Sequence, residues 1–149
     1  MAIRTAGPFD LELLAALHAR CFEEKWTSEA YGRLLAGPGV TGFLAVAPDG
    51  APCGFALVRA IAGEAEVLTI GVLPDYRRQG HGRALVDAMI DVAEAAGAEH
   101  LFLEVAEDNP AAQSLYRRAG FEPIARRPEY YDAERGRIDA LVMRRTCRL

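Results

Sequence analysis

A strand, a glycine-rich loop and an amphipathic helix follow one another between residues 64 and 97, and they constrain the fold strongly. The run EAEVLTIGVLP is rich in β-branched residues and stops at Pro74, which is typical of a strand. In GRALVDAMIDVAEAAG, apolar residues recur at helical spacing and Gly97 closes the run. The switch from strand to helix periodicity within one short segment predicts a mixed α/β domain.

The same patterns extend this unit to a single domain of residues 1–149. Two helices are predicted from FDLELLAALHARCF and KWTSEAYGRLLAG, and a hairpin from the two apolar runs around Pro48-Asp49-Gly50. The run HLFLEVA reads as a buried strand, and Asn109-Pro110 opens the helix PAAQSLYRRAG. FEPIARR and RIDALVMRR predict two last strands around the polar loop PEYYDAERG. The predicted order is ααβββαβαββ.

Composition and charge exclude several classes of protein. Apolar residues make up 51% of the chain, too many for a disordered protein, and no apolar run reaches the roughly 18 residues needed to span a membrane. The N-terminal MAIRTAGPFD also lacks the features of a signal peptide. A net charge of −4 argues against nucleic-acid binding. We therefore expect a soluble cytoplasmic protein, a monomer or weak dimer, without nucleic-acid or membrane partners.

Cysteine and histidine spacing gives no sign of a metal site or a disulfide framework. The three cysteines are odd in number and form no CxxC motif, which predicts ordinary reduced thiols. The three histidines are scattered and match no metal-ligand spacing, so we expect no metal. These residues are Cys21, Cys53, Cys147, His18, His81 and His100.

The loop DYRRQGHGRAL has the composition of an anion-binding site. A phosphate-binding P-loop requires Lys-Ser/Thr after its last glycine, whereas Arg83-Ala84 follows Gly82. A dinucleotide fingerprint requires a third small residue, and Leu85 stands there. A pyrophosphate cradle fits, because backbone N–H groups from Arg78 to Arg83 and the helix dipole would face the same anion.

The segment Arg77-Arg78-Gln79-Gly80-His81-Gly82 resembles the coenzyme A signature R/Q-x-x-G-x-G/A of the GNAT family of N-acetyltransferases. The later residues Glu104, Asn109 and Tyr116 resemble that family's functional positions, and LYRRAGFE resembles its L-Y-x-x-x-G-F segment. The resemblance covers nearly the whole chain. It implies an α/β GNAT fold, with a mixed, mostly antiparallel central sheet, splayed strands and helices on both faces.

Within the family, the chain is most similar to the bacterial ribosomal-protein alanine N-acetyltransferases. EVLTIGVLPDYRRQGHGRALV, LFLEVAEDNPAAQSLYRRAGFE and YYDAERGRIDALVM carry this similarity, and KWTSEAY resembles the subgroup's P-W-S-type segment. The resemblance implies an acyltransferase with acetyl-CoA as cosubstrate. Its acceptor would be a protein N-terminal α-amine, such as the N-terminal alanine of a small-subunit ribosomal protein.

The resemblance also implies roles for individual residues. Glu104 would be the general base, since partial burial in an apolar strand raises the pKa of a carboxyl group. Tyr116 would protonate the leaving thiolate. A backbone N–H near Val72 would polarise the thioester carbonyl, and Gly71 would permit a bulge that splays two strands. The implied cofactor-binding residues are Ile70, Gly71, Val72, Arg77, Arg78, Gln79, Gly80, His81, Gly82, Arg83 and Asn109.

Each role has a structural alternative. Glu104 would otherwise be an edge carboxylate paired with an arginine, and Tyr116 an amphipathic core residue. Gly71 would mark tight packing, and Asn109 would cap its helix. Because no cysteine lies near these motifs in the sequence, we expect direct attack in a ternary complex and no acyl-enzyme.

The acceptor side is less defined by the sequence. Trp26, Tyr31, Tyr130 and Tyr131 are candidate walls of a cleft for a peptide N-terminus, and Glu24, Glu129 and Asp132 are candidate contacts for a cationic chain. The alternatives are an acetyltransferase for a small amine such as a polyamine or aminoglycoside, a lysine acetyltransferase, and a non-catalytic acetyl-CoA sensor.

Overall fold

The computed structural model of the chain describes residues 2–128 and 136–147, and the backbone of residues 131–132. Within these residues the helices are α1 Leu11–Cys21, α2 Ser28–Leu35, α3 His81–Ala95 and α4 Pro110–Arg118. The strands are β1 Ala2–Ala6, β2 Val40–Val46, β3 Pro52–Ile61, β4 Glu64–Val72, β5 His100–Ala106, β6 Glu122–Arg127, β7 Tyr131–Asp132, β8 Gly136–Arg137 and β9 Ala140–Thr146.

Seven of these strands form one mixed sheet in the order β1-β2-β3-β4-β5-β9-β6. The pair β4–β5 is parallel, and every other neighbouring pair in this sheet is antiparallel. The parallel pair follows from the crossover through α3, which returns the chain to the same end of the sheet. The structure confirms the predicted mixed, mostly antiparallel sheet.

The predicted element order lacked two features. Strand β1 was missed because its sequence, AIRTA, is short and largely exposed, and therefore shows no apolar alternation. It forms by pairing along its whole length with β2. The polar loop before the last strand contains the short antiparallel pair β7–β8, which forms a separate two-stranded sheet.

The core lies on both faces of the sheet. Along β3, Phe55 and Leu57 pack into the cluster under α1 and α2, whereas Ala56 and Val58 pack into the cluster under α3. Successive side chains of a strand point to opposite faces, so this alternation places one apolar layer on each face of the sheet. Residues buried on both faces explain why β3 reads as a nearly continuous apolar run. The structure thus confirms helices on both faces.

The parallel pair β4–β5 separates after three residues. Its register runs only from Glu64 opposite His100 to Glu66 opposite Phe102. On the β3 side of β4, the register shifts so that Leu57 lies opposite Thr69 and Val58 opposite Val67, which leaves Leu68 as the extra residue of a bulge. The confirmed splay of the two strands opens a cleft between their C-terminal halves.

The prediction that Gly71 provides the bulge is wrong, because the bulge lies at Leu68. Gly71 pairs regularly with Phe55. A Cβ atom on Gly71 would lie 2.7 Å from the Phe55 ring and 3.2 Å from Cys21 Sγ. The glycine is therefore required by tight packing between β4, β3 and α1, which was the structural alternative.

Candidate active site

The cleft between β4 and β5 has a volume of about 850 Å³. Its walls come from the two splayed strands, from the start of α4 and from the loop between α1 and α2. It brings together predicted site residues that are up to 90 positions apart in the sequence. These are Trp26, Ile70, Arg77, Glu104, Asn109 and Tyr116.

The predicted anion cradle lies at the N-terminus of α3. Arg78 and Gly80 have left-handed backbone conformations, with φ angles of 63° and 89°. The N–H of Ala84 makes the first helical bond, to the carbonyl of Gly80, at 3.0 Å. The N–H groups of the three residues between them have no partner within the helix, and an anion at this end would satisfy them. The turn geometry therefore fits a diphosphate group.

Close packing also requires a glycine at position 82 of the cradle. A Cβ atom on Gly82 would lie 3.2 Å from Leu115 Cδ2 of α4, so α3 approaches α4 closely only because this side chain is absent. The cradle and the cleft are thus joined by the packing of α3 against α4. This arrangement suits a ligand that has a diphosphate at one end and an extended arm at the other.

Three polar side chains of the loop, those of Arg77, Gln79 and Arg83, are engaged with the protein. Arg77 Nε donates to the Val72 carbonyl at 3.0 Å, and Gln79 Nε2 donates to the Asp75 carbonyl at 3.3 Å. Arg83 Nε pairs with Asp87 at 3.0 Å. Because these side chains contact the protein, the cradle consists of backbone N–H groups, as the sequence pattern predicts for Arg78 to Arg83.

Two backbone N–H groups of β4 point toward the side on which the strands splay. The N–H of Leu73 donates to the Cys53 carbonyl of β3 at 2.8 Å. Because N–H groups alternate in direction along a strand, those of Val72 and Ile70 point away from β3 and toward the splayed side. An acyl carbonyl in the cleft would find hydrogen-bond donors at this strand end.

Glu104 stands on the cleft side of β5, but the predicted partial burial is wrong. Its side chain is 41% exposed, and Arg127 Nε of β6 lies 3.0 Å from its carboxylate. Along β5, Leu103 and Val105 are buried while Glu104 points to the opposite face, which the splay opens to solvent. The predicted structural alternative, a carboxylate paired with an arginine, describes this contact.

Tyr116 projects from α4 into the same cleft. The residue is only 7% exposed, and its ring packs edge-on against Phe121 with 6.0 Å between ring centroids. Burial disfavours the phenolate and raises the pKa of Tyr116 to about 12. Its phenol is therefore a neutral proton donor throughout the physiological pH range.

Asn109 has the capping role that was its structural alternative and also borders the cleft. Its side-chain oxygen accepts a hydrogen bond from the Ala112 N–H at 3.2 Å and caps α4. Pro110 occupies the first turn of the helix, where no amide proton is needed. The cap fixes the start of α4, and with it the position of Tyr116 two turns later.

The structure describes the side chains of two of the four predicted aromatic wall residues. Trp26 lines the cleft, but Tyr31 is completely buried behind it and forms no part of the surface. Tyr31 was predicted as a wall because helix periodicity alone did not indicate which side its ring faced. Tyr131 lies in β7, where only the backbone is described, and Tyr130 lies outside the described residues together with Glu129.

Two residues that the motifs did not indicate also line the cleft, His18 and Cys21 of α1. No cysteine is close to these motifs in the sequence, but the expectation fails in the structure, where Cys21 lies near them because α1 packs across β4. Burial raises the pKa of the Cys21 thiol, and nearby Arg77 only partly offsets this effect. A thiol kept protonated is a poor nucleophile, so direct attack remains our expectation. No signal in the sequence connects α1 with β4.

A possible set of metal ligands lies at the opposite, paired end of β4 and β5. Ligand atoms of Glu64, Glu99 and His100 lie within 4.8 Å of one another, and His100 Nδ1 is 3.3 Å from the Glu64 carboxylate. Sequence spacing missed this group because parallel pairing of the strands brings it together. The two glutamates are exposed, and the group has the form of a surface ion pair.

His81 is buried at the start of α3 without a polar partner. It is 2% exposed, and neither ring nitrogen has a hydrogen-bond partner among the described residues. Leaving a buried polar group unsatisfied costs about 1–3 kcal/mol. The cradle at the start of α3 uses only the backbone of His81. Its buried imidazole, which has no hydrogen-bond partner within the described segments, therefore lowers the stability of the fold.

We therefore predict that His81→Leu raises the free energy of unfolding by about 1–3 kcal/mol, because leucine fills the space without a polar atom. Urea denaturation at neutral pH measures the change. His100→Leu is the matched control, since it removes a histidine that has a polar partner. An unchanged or lower free energy for His81→Leu would show that the imidazole is satisfied in solution.

The family model and the individual relatives that match the chain belong to the same family. Residues 11–121 match the acetyltransferase (GNAT) family. The chain is 42% identical to the [ribosomal protein bS18]-alanine N-acetyltransferase of Escherichia coli over 95 residues, 64% of each chain, so the match spans just under two thirds of that relative. It is 36% identical to the N-alpha-acetyltransferase RimI of Mycobacterium tuberculosis, over 91% of this chain and 86% of that one.

Solved structures agree with this result. The crystal structure of the ribosomal-protein-S18-alanine N-acetyltransferase from Escherichia coli superposes with a TM-score of 0.89 and 31% identity, covering 99% of this chain and 94% of that one. In the described part of the chain, every helix is too short or too polar to span a bilayer. The fold, the loop before α3 and the matched residues lead to one conclusion: the chain belongs to the GNAT family of acetyltransferases, which use acetyl-CoA as acyl donor.

Proposed function

We propose that the chain is an N-acetyltransferase that transfers an acetyl group from acetyl-CoA to the α-amine of a protein N-terminus. The expected acceptor is the N-terminal alanine of ribosomal protein bS18, and the expected location is the cytoplasm. The observation that carries the proposal is the splayed cleft, which is lined by Glu104, Tyr116 and the C-terminal half of β4 up to Ile70. The names of the relatives support the choice of acceptor.

In this proposal, three groups of the chain each carry out one task in the reaction. Acetyl-CoA supplies an acetyl thioester. Glu104, directly or through a water molecule, accepts the proton that the ammonium must lose before its nitrogen has a lone pair. The Val72 N–H donates to the carbonyl oxygen as it gains negative charge. The Tyr116 phenol gives its proton to the departing thiolate.

The surroundings of the acid and the base suit these tasks. Burial keeps the Tyr116 phenol protonated, so the proton is available at neutral pH. Exposure of Glu104 to the cleft keeps its carboxylate accessible to an incoming amine, and the ion pair with Arg127 fixes its orientation. In this proposal α3 holds the diphosphate of the cosubstrate through its backbone.

The cleft is acidic on the acceptor side, which favours a cationic acceptor. Among the described residues, the carboxylates of Glu23, Glu24, Glu104 and Asp108 line it together with the guanidinium of Arg77. An N-terminal ammonium and a polyamine both match this charge. The second candidate is therefore acetylation of a small cationic amine.

Turnover with separate acceptors distinguishes these functions. Thiol release from acetyl-CoA is measured with a peptide that begins with alanine, with the same peptide blocked at its α-amine and carrying a lysine, and with spermidine. We expect the first acceptor to exceed the others in kcat/KM by at least about tenfold. Turnover with spermidine alone would support the small-amine function, and turnover with the blocked peptide alone would support a lysine acetyltransferase.

A further inference from the structure

His18 of α1 borders the cleft but has no part in the three catalytic tasks. The residue is 3% exposed, and the cleft reaches it from the acceptor side. A histidine buried this far is held in place by its neighbours, which come from the loop after α1, from α2 and from β3. Its contacts therefore show what the side chain does.

Polar contacts connect His18 to α2 and to the cleft wall. His18 Nδ1 lies 2.8 Å from the Tyr31 hydroxyl, and Thr69 of β4 is close enough to the same phenol to lower its pKa against the effect of burial. The backbone carbonyl of Glu24 is close enough to the imidazole to favour its protonated form. We assign this last contact to Nε2, because Nδ1 faces Tyr31.

The proton positions follow from this arrangement. A carbonyl oxygen only accepts hydrogen bonds, so the nitrogen that faces Glu24 carries the proton. In the neutral ring Nδ1 is then an acceptor, and the Tyr31 hydroxyl donates to it. A second proton on Nδ1 would reverse this hydrogen bond, because the Tyr31 oxygen can also accept, and it would place a positive charge on a side chain that is 3% exposed, which favours opening of the surrounding wall to water.

Aromatic contacts connect the same imidazole to the loop between α1 and α2. The Trp26 ring stacks on it with 4.7 Å between centroids and an angle of 20°, and the Phe22 ring lies 4.8 Å away. Phe22, Glu24 and Trp26 all line the cleft. One imidazole thus holds this side of the cleft both through a backbone carbonyl and through a stacked ring.

We propose that neutral His18 is a positioning residue that holds the loop of residues 22–27 as the acceptor wall, and that its protonation releases this wall. That this loop contacts the acceptor rests on the proposed function, whereas the contact between His18 and the loop does not. The expected consequence is a rise in KM for the acceptor at acidic pH, with little change in KM for acetyl-CoA.

The charges around His18 set the direction of the pH effect. Burial lowers the pKa of His18, and the carbonyl and carboxylate of Glu24 oppose this only partly. Other titratable groups nearby are the thiol of Cys21, whose neighbour is Arg77, and the phenol of Tyr31. The folded pKa is depressed, so the contribution of the neutral ring to stability is lost as the pH falls below about 6.5.

Fluorescence tests the contact without any acceptor. Trp26 is the only tryptophan in the sequence, and a stacked imidazolium quenches indole emission. We expect an emission transition at a pH below about 6.5 that is absent in His18→Phe and retained in His100→Phe, the matched control. A transition that persists in His18→Phe would overturn the proposal.

Kinetics test the positioning role. At a pH of about 7.5, where His18 is neutral, we expect His18→Phe to raise KM for the alanine peptide about tenfold and to change KM for acetyl-CoA less than twofold. Tyr31→Phe should raise the acceptor KM in the same direction if the phenylalanine variant at position 18 does not fold. An unchanged acceptor KM in both variants would refute positioning. Absence of turnover with every acceptor would refute the proposed function, and the fluorescence result would still decide the role of His18.

Discussion

Replacing Tyr116 by phenylalanine is expected to lower kcat by about 100-fold or more, because the departing thiolate loses its proton donor. The substitution removes one oxygen from a largely buried ring, so the fold and KM for acetyl-CoA should change little. Burial raises the pKa of Tyr116 to about 12, so ionisation of this phenol should not reduce kcat at any pH up to about 10. Steady-state kinetics with the alanine peptide, together with thermal denaturation, measure these effects.

Tyr76→Phe is the matched control for this variant. Tyr76 is a partly buried tyrosine before α3 that does not line the cleft between β4 and β5. Its replacement should leave kcat within about twofold of the original value. A wild-type kcat in Tyr116→Phe would mean that another group, or water, protonates the thiolate, and that Tyr116 is the core residue of the structural alternative.

Replacing Glu104 by glutamine is expected to lower kcat/KM by about 100-fold near neutral pH. Glutamine keeps the size of the side chain but does not accept a proton. The α-amine of a peptide has a pKa near 8, so at a pH of about 9 most of the acceptor is already neutral and the deficit should shrink. A pH profile of kcat/KM for the variant and the original protein measures both features.

Two further variants separate proton transfer from the ion pair. Arg127→Gln removes the cation beside Glu104 and leaves the carboxylate, so we expect a fall of less than about tenfold. Glu107→Gln removes a nearby carboxylate that pairs with Arg126, and it should have almost no effect. Equal losses in Glu104→Gln and Arg127→Gln would assign the effect to the ion pair and would remove Glu104 from its role as base.

Local chemistry made the loop before α3 predictable. The glycine and arginine pattern indicated a backbone cradle, and the structure places Arg78 and Gly80 in left-handed conformations at that position. The buried strands and the cap at Asn109 were predictable for the same reason, since each depends on residues that are close in sequence. A mixed, mostly antiparallel sheet with splayed strands was expected from the family resemblance.

Features that depend on packing between distant segments were not predictable. Strand β1 forms only because β2 offers an edge, and Gly71 is required by the ring of Phe55 rather than by a bulge. Glu104 lies at the open face of β5, and no local pattern indicates where a sheet splays. His18 reaches the cleft because α1 crosses β4, a contact that the sequence does not record.

The most direct test of acetyl transfer to a protein N-terminus uses one peptide that offers both kinds of amine. The peptide begins with alanine, carries an internal lysine and is incubated with acetyl-CoA and the full chain. Fragmentation mass spectrometry then locates the acetyl group. We predict modification of the alanine α-amine alone, and its loss in the Tyr116→Phe and Glu104→Gln variants. Acetylation of the lysine alone, or none while acetyl-CoA binds, would contradict the proposed function.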